Sequence, residues 1–260
     1  MELLIELLTE SRMSLAQTFM LAVLLLFIPA LLFFRARARS GRGPSLRPIA
    51  GFRRLHDFVG LAAETGQPVS VSLGTGSVYQ GAAAETLAAL DVLDYLGEQA
   101  AAHGSKTLVT TGDATTLLAA QGALRGAYAA QGVLAEYDPL SARWVAPDAA
   151  AYAAGVGDLL RHEPLAASVL AGRFDDEYLL LGEAGRQAGV GQVAGAAQPT
   201  VLPFVHATSD CPVLGEELFA AGAYLKGQPA HVGSLMAQDW MRILLILVIV
   251  GGIVAKTLLA

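Results

Sequence analysis

Two apolar runs, one near each end, limit what this chain can become. The first, Leu15 to Phe34 (LAQTFMLAVLLLFIPALLFF), carries no charge. At about 1.5 Å per residue it measures about 30 Å, the thickness of a bilayer's hydrocarbon. The second, Met241 to Ala260 (MRILLILVIVGGIVAKTLLA), is comparable, with Lys256 near its end where a long side chain can snorkel to the interface. Both read as transmembrane helices. Pro29 falls inside the first, where lipid tolerates a kink if a neighbour satisfies the freed carbonyl. A cleaved signal peptide fits the first run poorly, because Glu2, Glu6 and Glu10 precede it against Arg12 alone, and RARARSGRGPSLR follows it instead of a small-residue cleavage site. For the second run a buried core helix is the alternative, and its apolar length and terminal position favour the membrane.

Composition agrees with a membrane protein that has a folded middle. Hydrophobic residues make up 54% of the 260 residues and charged ones only 15%, too apolar for an ordinary soluble domain. The expected organisation is an amphipathic segment 1–13, with Glu2, Glu6 and Glu10 in one stripe, a membrane helix 14–34, a basic linker 35–50, an α/β domain 51–236 and a second membrane helix 239–260. Arg35, Arg37, Arg39, Arg42, Arg47, Arg53 and Arg54 crowd the exit of the first helix, and Arg242 opens the second. By the positive-inside rule the chain crosses the cell (inner or plasma) membrane twice, with its middle in the cytoplasm and both termini on the opposite side. Beside a membrane helix, Arg35, Arg37, Arg39, Arg42 and Arg242 are expected to meet the membrane interface and its lipid headgroups. Nucleic acid is not expected as a partner, because twenty Asp and Glu stand against seven Lys and Arg between Leu55 and Trp240. The single cysteine, Cys211, leaves no internal disulfide framework.

The middle alternates short β-rich runs with long Ala- and Leu-rich stretches. Expected strands are PVSVSL (Pro68 to Leu73), KTLVTT (Lys106 to Thr111), ARWVAP (Ala142 to Pro147), AASVLAG (Ala166 to Gly172), GQVAGA near Val193, and CPVL (Cys211 to Leu214). Expected helices fill Ala82 to His103, Ala114 to Gln131, Asp148 to Arg161, Asp175 to Gln187 and Glu216 to Leu225. Asp113, Asp148 and Asp175 stand where N-caps belong, and Gly104, Gly132 and Gly189 where helices stop. Strands separated by helices imply a mostly parallel sheet, since parallel neighbours need a crossover. The fold class is α/β, a Rossmann-like three-layer domain flanked by N- and C-terminal transmembrane helices.

The stretches TGQPVSVSLGTG, VTTGDATTLLAAQGALRGAY, YDPLSARWVAPDAAAYAAG and GEELFAAGAYLKGQPAHVGSLMAQDWMR carry a resemblance to a family of uncharacterised bacterial membrane proteins with a domain of unknown function. It runs from Ile49 to the last membrane helix. The resemblance implies a Rossmann-like cytoplasmic domain between two membrane helices and brings no catalytic residues.

Ligands of open α/β sheets bind outside the carboxyl ends of the strands. Here those ends carry Gly74, Thr75, Gly76 and Ser77, then Thr111 and Asp113, then Arg173, which is placed to meet an anion at a helix N-terminus. The stretch GTGS is either a phosphate cradle or the turn after a first strand. A dinucleotide fingerprint needs Gly or Ala where Tyr79 stands, and Gly104 to Thr107 gives Gly-Ser-Lys-Thr, not the Gly-Lys-Ser/Thr of a P-loop. The capping aspartates have general-base or magnesium chemistry as an alternative, but the five histidines are dispersed and give no metal pair, so no metal and no cofactor is expected. Neither apolar run holds an acid or histidine at mid-depth, which argues against an ion pathway. Gly251 and Gly252 offer a smooth face for helix packing. Two functions follow: a structural or scaffolding subunit in a homo-oligomer or with other membrane subunits, not an enzyme, or a tethered domain that binds or transforms a small anionic ligand at the strand ends.

Overall fold

The computed structural model describes residues 15–41, 43–44, 46–79 and 81–259. The acidic segment 1–13 and Arg42 lie outside the described residues. In chain order the elements are α1 (Leu15–Arg39), α2 (Ala50–Thr65), β1 (Val69–Gly74), α3 (Ala83–His103), β2 (Thr107–Thr111), α4 (Ala114–Ala130) and β3 (Ala142–Trp144). There follow α5 (Ala149–His162), β4 (Ala167–Arg173), α6 (Tyr178–Gln187), β5 (Gln192–Ala196), α7 (Leu202–Thr208), β6 (Cys211–Leu214), α8 (Ala221–Lys226) and α9 (Pro229–Leu259). They form two compact units, Leu46–Lys226 and the segments on either side of it.

The unit Leu46–Lys226 is built on a six-stranded sheet in the order β3-β2-β1-β4-β5-β6. Every pairing is parallel. The order reverses between β1 and β4, the switch point of a doubly wound, Rossmann-like sheet. Val71, Leu73, Val109, Val169 and Val193 point to one face, where Phe58 of α2 and Leu93 and Leu96 of α3 cover them. Leu108, Leu170 and Ala194 point to the other, beneath Tyr152 and Val156 of α5 and Leu181 of α6. A parallel sheet covered on both faces has no solvated side, so all six residues of β1 are buried although the first four alternate Val and Ser.

Several sequence boundaries move. The helix expected from Asp175 starts at Tyr178, with Glu177 at its N-cap, so Asp175 is not a cap. The stretch Glu216 to Leu225 divides into a 3-10 turn, Gly215–Ala220, and the short α8. The short α7, with Pro203 in its first turn, has no counterpart among the expected helices. β3 ends at Trp144 because only three residues pair with β2. Arg35, Arg37 and Arg39 belong to α1, not to a linker, and α9 begins well before Met241, at Pro229.

In the other unit α1 packs against α9. Both are long and apolar enough to cross a membrane, over Gln17–Arg39 with mean hydropathy 2.4 and Pro229–Val254 with 1.8. The two helices approach closely at Gly233, where a Cβ would stand 2.6 Å from the Arg35 Cα. Covered positions continue on α1 before Arg35 (Val23, Phe27, Leu31, Phe34) and on α9 after Gly233 (Ala237, Met241, Leu244, Leu245), while past Arg35 a Cβ on Gly43 would lie 3.6 Å from Val232. The pair is therefore an antiparallel hairpin.

Candidate functional site

The carboxyl edge of the sheet at the switch point brings together all the residues expected there. Gly74, Thr75, Gly76 and Ser77 leave β1, Thr111 and Asp113 leave β2, and Arg173 ends β4. Gly74 has φ +76, and a Cβ there would lie 2.0 Å from the Arg173 carbonyl oxygen. Only glycine fits this crossing of β1 and β4. The Thr75 amide donates to that same carbonyl at 3.1 Å, and the Gly112 amide to the Gly74 carbonyl at 2.9 Å. The turn is thereby tied to both neighbouring strands.

The hydroxyls of the turn are directed inward. Ser77 Oγ lies 3.2 Å from Thr115 Oγ1, and Thr116 Oγ1 donates to the Gly76 carbonyl at 2.9 Å. Thr111 Oγ1 accepts the Asp113 amide at 3.2 Å. Asp113 caps α4, accepting the Thr116 amide at 2.9 Å and the Thr115 hydroxyl. Burial by itself raises its pKa, but the hydrogen bonds from Thr115 and Thr116 outweigh it and hold the carboxyl below its ordinary value. Asp148 caps α5 in the same way, accepting the Ala151 amide at 2.9 Å.

Arg173 reaches the edge between two carboxylates. Its guanidinium stands 3.5 Å from Glu85 and 3.0 Å from Asp175. Glu85, in the first turn of α3, is only 8% exposed and also accepts from Gln198 Nε2 at 3.3 Å. Glu177 accepts the Asp175 amide at 3.1 Å at the entrance to α6. Each of these four helix N-termini thus has a carboxylate of the chain itself beside it. A bound anion would have to displace or repel that charge.

Tyr152, which the sequence marks only as part of a helix, underlies the whole edge. Its hydroxyl accepts the Gly74 amide at 3.2 Å and donates to the Thr110 carbonyl at 3.3 Å, while Thr110 Oγ1 lies 2.9 Å from Ser72 Oγ. Complete burial pushes the phenol up to about 12. The legible signal is the polar face of the strands, Ser70, Ser72 and Thr110, which needs a polar side chain opposite it once strand order is known. Trp144 closes the β3 side, its indole donating to the Gly112 carbonyl at 3.0 Å.

Among the described residues no three His, Cys, Asp or Glu side chains converge as metal ligands. Surface depressions occur away from this edge, over Arg54, Phe58 and Glu64 of α2 and beside Arg186, Gln192 and Asp210 at the opposite end of the sheet. On the hairpin, Arg35, Arg37 and Arg39 are exposed on the last turns of α1. Arg242 lies 3.8 Å from Asp239. A Cβ on Gly251 or Gly252 would meet nothing within 4 Å, so neither is used in the hairpin contact. A family model for a domain of unknown function, DUF6754, matches residues 9–260. Neither a curated protein nor a solved structure matches the chain.

Proposed function

The chain belongs to the DUF6754 family, and we propose that it is a membrane-anchored structural subunit that assembles with copies of itself or with other membrane subunits. In this reading α1 and α9 cross the inner membrane of a bacterial cell, the α/β domain works in the cytoplasm and both termini lie outside. Arg35, Arg37 and Arg39 meet the headgroups. The observation that carries the reading is the state of the switch-point edge. Asp113 fills the α4 N-terminus, the Ser77, Thr111 and Thr116 hydroxyls are engaged within the chain, and Arg173 is matched by Glu85 and Asp175. What is left is an acidic α/β domain joined through the chain to two apolar helices, which suits a scaffold.

One observation favours the second reading, a tethered domain that binds a small ligand: Arg173 Nε is buried and makes no hydrogen bond, a cost that a ligand could offset. The two readings separate on the particle extracted in mild detergent. A uniform oligomer supports the subunit. A monomer that carries a phosphate compound, lost in Arg173→Ala, supports the ligand site.

A further inference from the structure

The two sides of α9 differ in kind. The side toward α1 is smooth, with Gly233 and Ala237 followed by Met241. On the opposite side half-buried Leu235 and exposed Asp239, Arg242, Ile246, Ile249 and Ile253 recur at alternating spacings of four and three, the heptad pattern by which helices pair. Ile246, Ile249 and Ile253 are 59%, 60% and 61% exposed. Asp239 and Arg242 form an ion pair along the helix at 3.8 Å, with side chains 73% and 54% exposed.

The hairpin sets the depth of that pair. Counting away from the Arg35–Gly233 contact in both directions makes Arg242 level with Leu26 of α1 and Asp239 level with Pro29. Both lie inside the charge-free run Leu15 to Phe34, with Arg242 close to its middle. If α1 spans the bilayer, an acid and a base of α9 stand within the hydrocarbon, on the side that α1 leaves open. Charges there are costly against lipid and are found paired, facing other protein.

We infer that this face of α9 pairs with the same face of a second copy, the two helices parallel, with Asp239 of each copy meeting Arg242 of the other. The inference rests on the membrane-subunit reading above and names its partner. The face is self-complementary, carrying one acid and one base, as a two-fold axis along the membrane normal requires. Their offset along the helix, about 4.5 Å, is within reach of an arginine side chain. Polar residues in an otherwise apolar seam also fix its register and partner number, a role that a wholly isoleucine seam would not fill.

The test uses the full chain in lipid nanodiscs, with Cys211→Ser as background. Single cysteines at Ile246 and Ile249 are expected to cross-link two copies on oxidation at least five-fold more than cysteines at Leu247 or Val248. Asp239→Arg is expected to lower dimer formation at least ten-fold, and adding Arg242→Asp to restore it to within two-fold, which a folding defect would not do. In a Trp144→Phe background, Trp240 fluorescence is expected to be quenched most by lipids brominated deep in the acyl chain. An oligomer by mass that cross-links through Leu247 or Val248, an oligomer holding one copy of this chain with a different subunit, failure of the charge swap, or quenching strongest at headgroup level would each overturn this inference and leave the subunit reading standing. A monomer would overturn both.

Discussion

Polar groups are treated in opposite ways in the two units of the chain. At the carboxyl edge of the sheet, hydroxyls, amides and carboxylates converge from β1, β2 and β4, and nearly all are engaged by one another. In the hairpin, Asp239 and Arg242 stand on the outward side of α9 although an inward position one or two residues away was available. The first region has the address of a ligand site and the internal bonding of a structural joint. The second has the composition of a membrane anchor and the charge pattern of a recognition surface. Position in a fold is thus a poorer guide to function than whether the polar atoms found there are already engaged.

Gly74 is the position at which this contrast is most easily broken. With φ +76 and the Arg173 carbonyl oxygen 2.0 Å from where a Cβ would stand, Gly74→Val is expected to cost about 4 kcal/mol or more. Chemical denaturation of the isolated particle would read this, and a loss under about 1 kcal/mol would show a slack turn, as a mobile ligand loop has. Gly233→Leu comes next. Its side chain would enter the backbone of α1 at Arg35, and overpacking of this kind costs about 1–3 kcal/mol. The expected readout is loss of a disulfide engineered between Phe27→Cys and Met241→Cys; retention would contradict the register used above.

Tyr152→Phe is expected to cost about 1–2 kcal/mol, since the Gly74 amide loses its acceptor. Its pH signature is more specific. Tyr152 and Tyr178 are both pushed up to about 12, mainly by burial, against about 10 in an unfolded chain. Their contribution is complete below about pH 10 and is lost as pH rises toward about 12, because the unfolded phenols ionise first. Tyr152→Phe is expected to make that alkaline decline shallower, and an unchanged slope would place Tyr152 in contact with solvent. The smallest effect is expected from Asp113→Ala, about 1 kcal/mol for a lost N-cap. Because the folded carboxyl is held below its ordinary value, this stability is present above that ordinary value and disappears as pH falls through the lowered one. The acid limb of the variant is therefore expected to be shallower. Inorganic phosphate that binds the parent at this edge, and binds more tightly once Asp113→Ala removes the carboxylate in its way, would favour the ligand reading instead.

Much of the sheet was legible because period and punctuation agreed: β-branched runs ended in glycine or threonine, and Asp113 and Asp148 capped what followed. Strand order was not, since it depends on which crossovers pack together. Tyr152 was hidden for that reason, its role existing only once β1 and β2 lie side by side over α5. Asp175 misled because a cap and a loop carboxylate look alike until an arginine is placed beside one of them. At the end of the chain, hydropathy located the apolar part of α9 but missed its polar first turns, which continue the same helix from Pro229. The level of Asp239 along the hairpin came from the packing of Gly233 on Arg35, a contact between residues far apart in sequence.

The most direct measurement is the mass of the full chain extracted in mild detergent, by light scattering combined with native mass spectrometry. A uniform particle containing at least two copies, without a bound small molecule, is the predicted result. A monomer that retains a nucleotide or another phosphate compound would contradict the subunit reading and return attention to Gly74, Gly76 and Arg173 as a binding site.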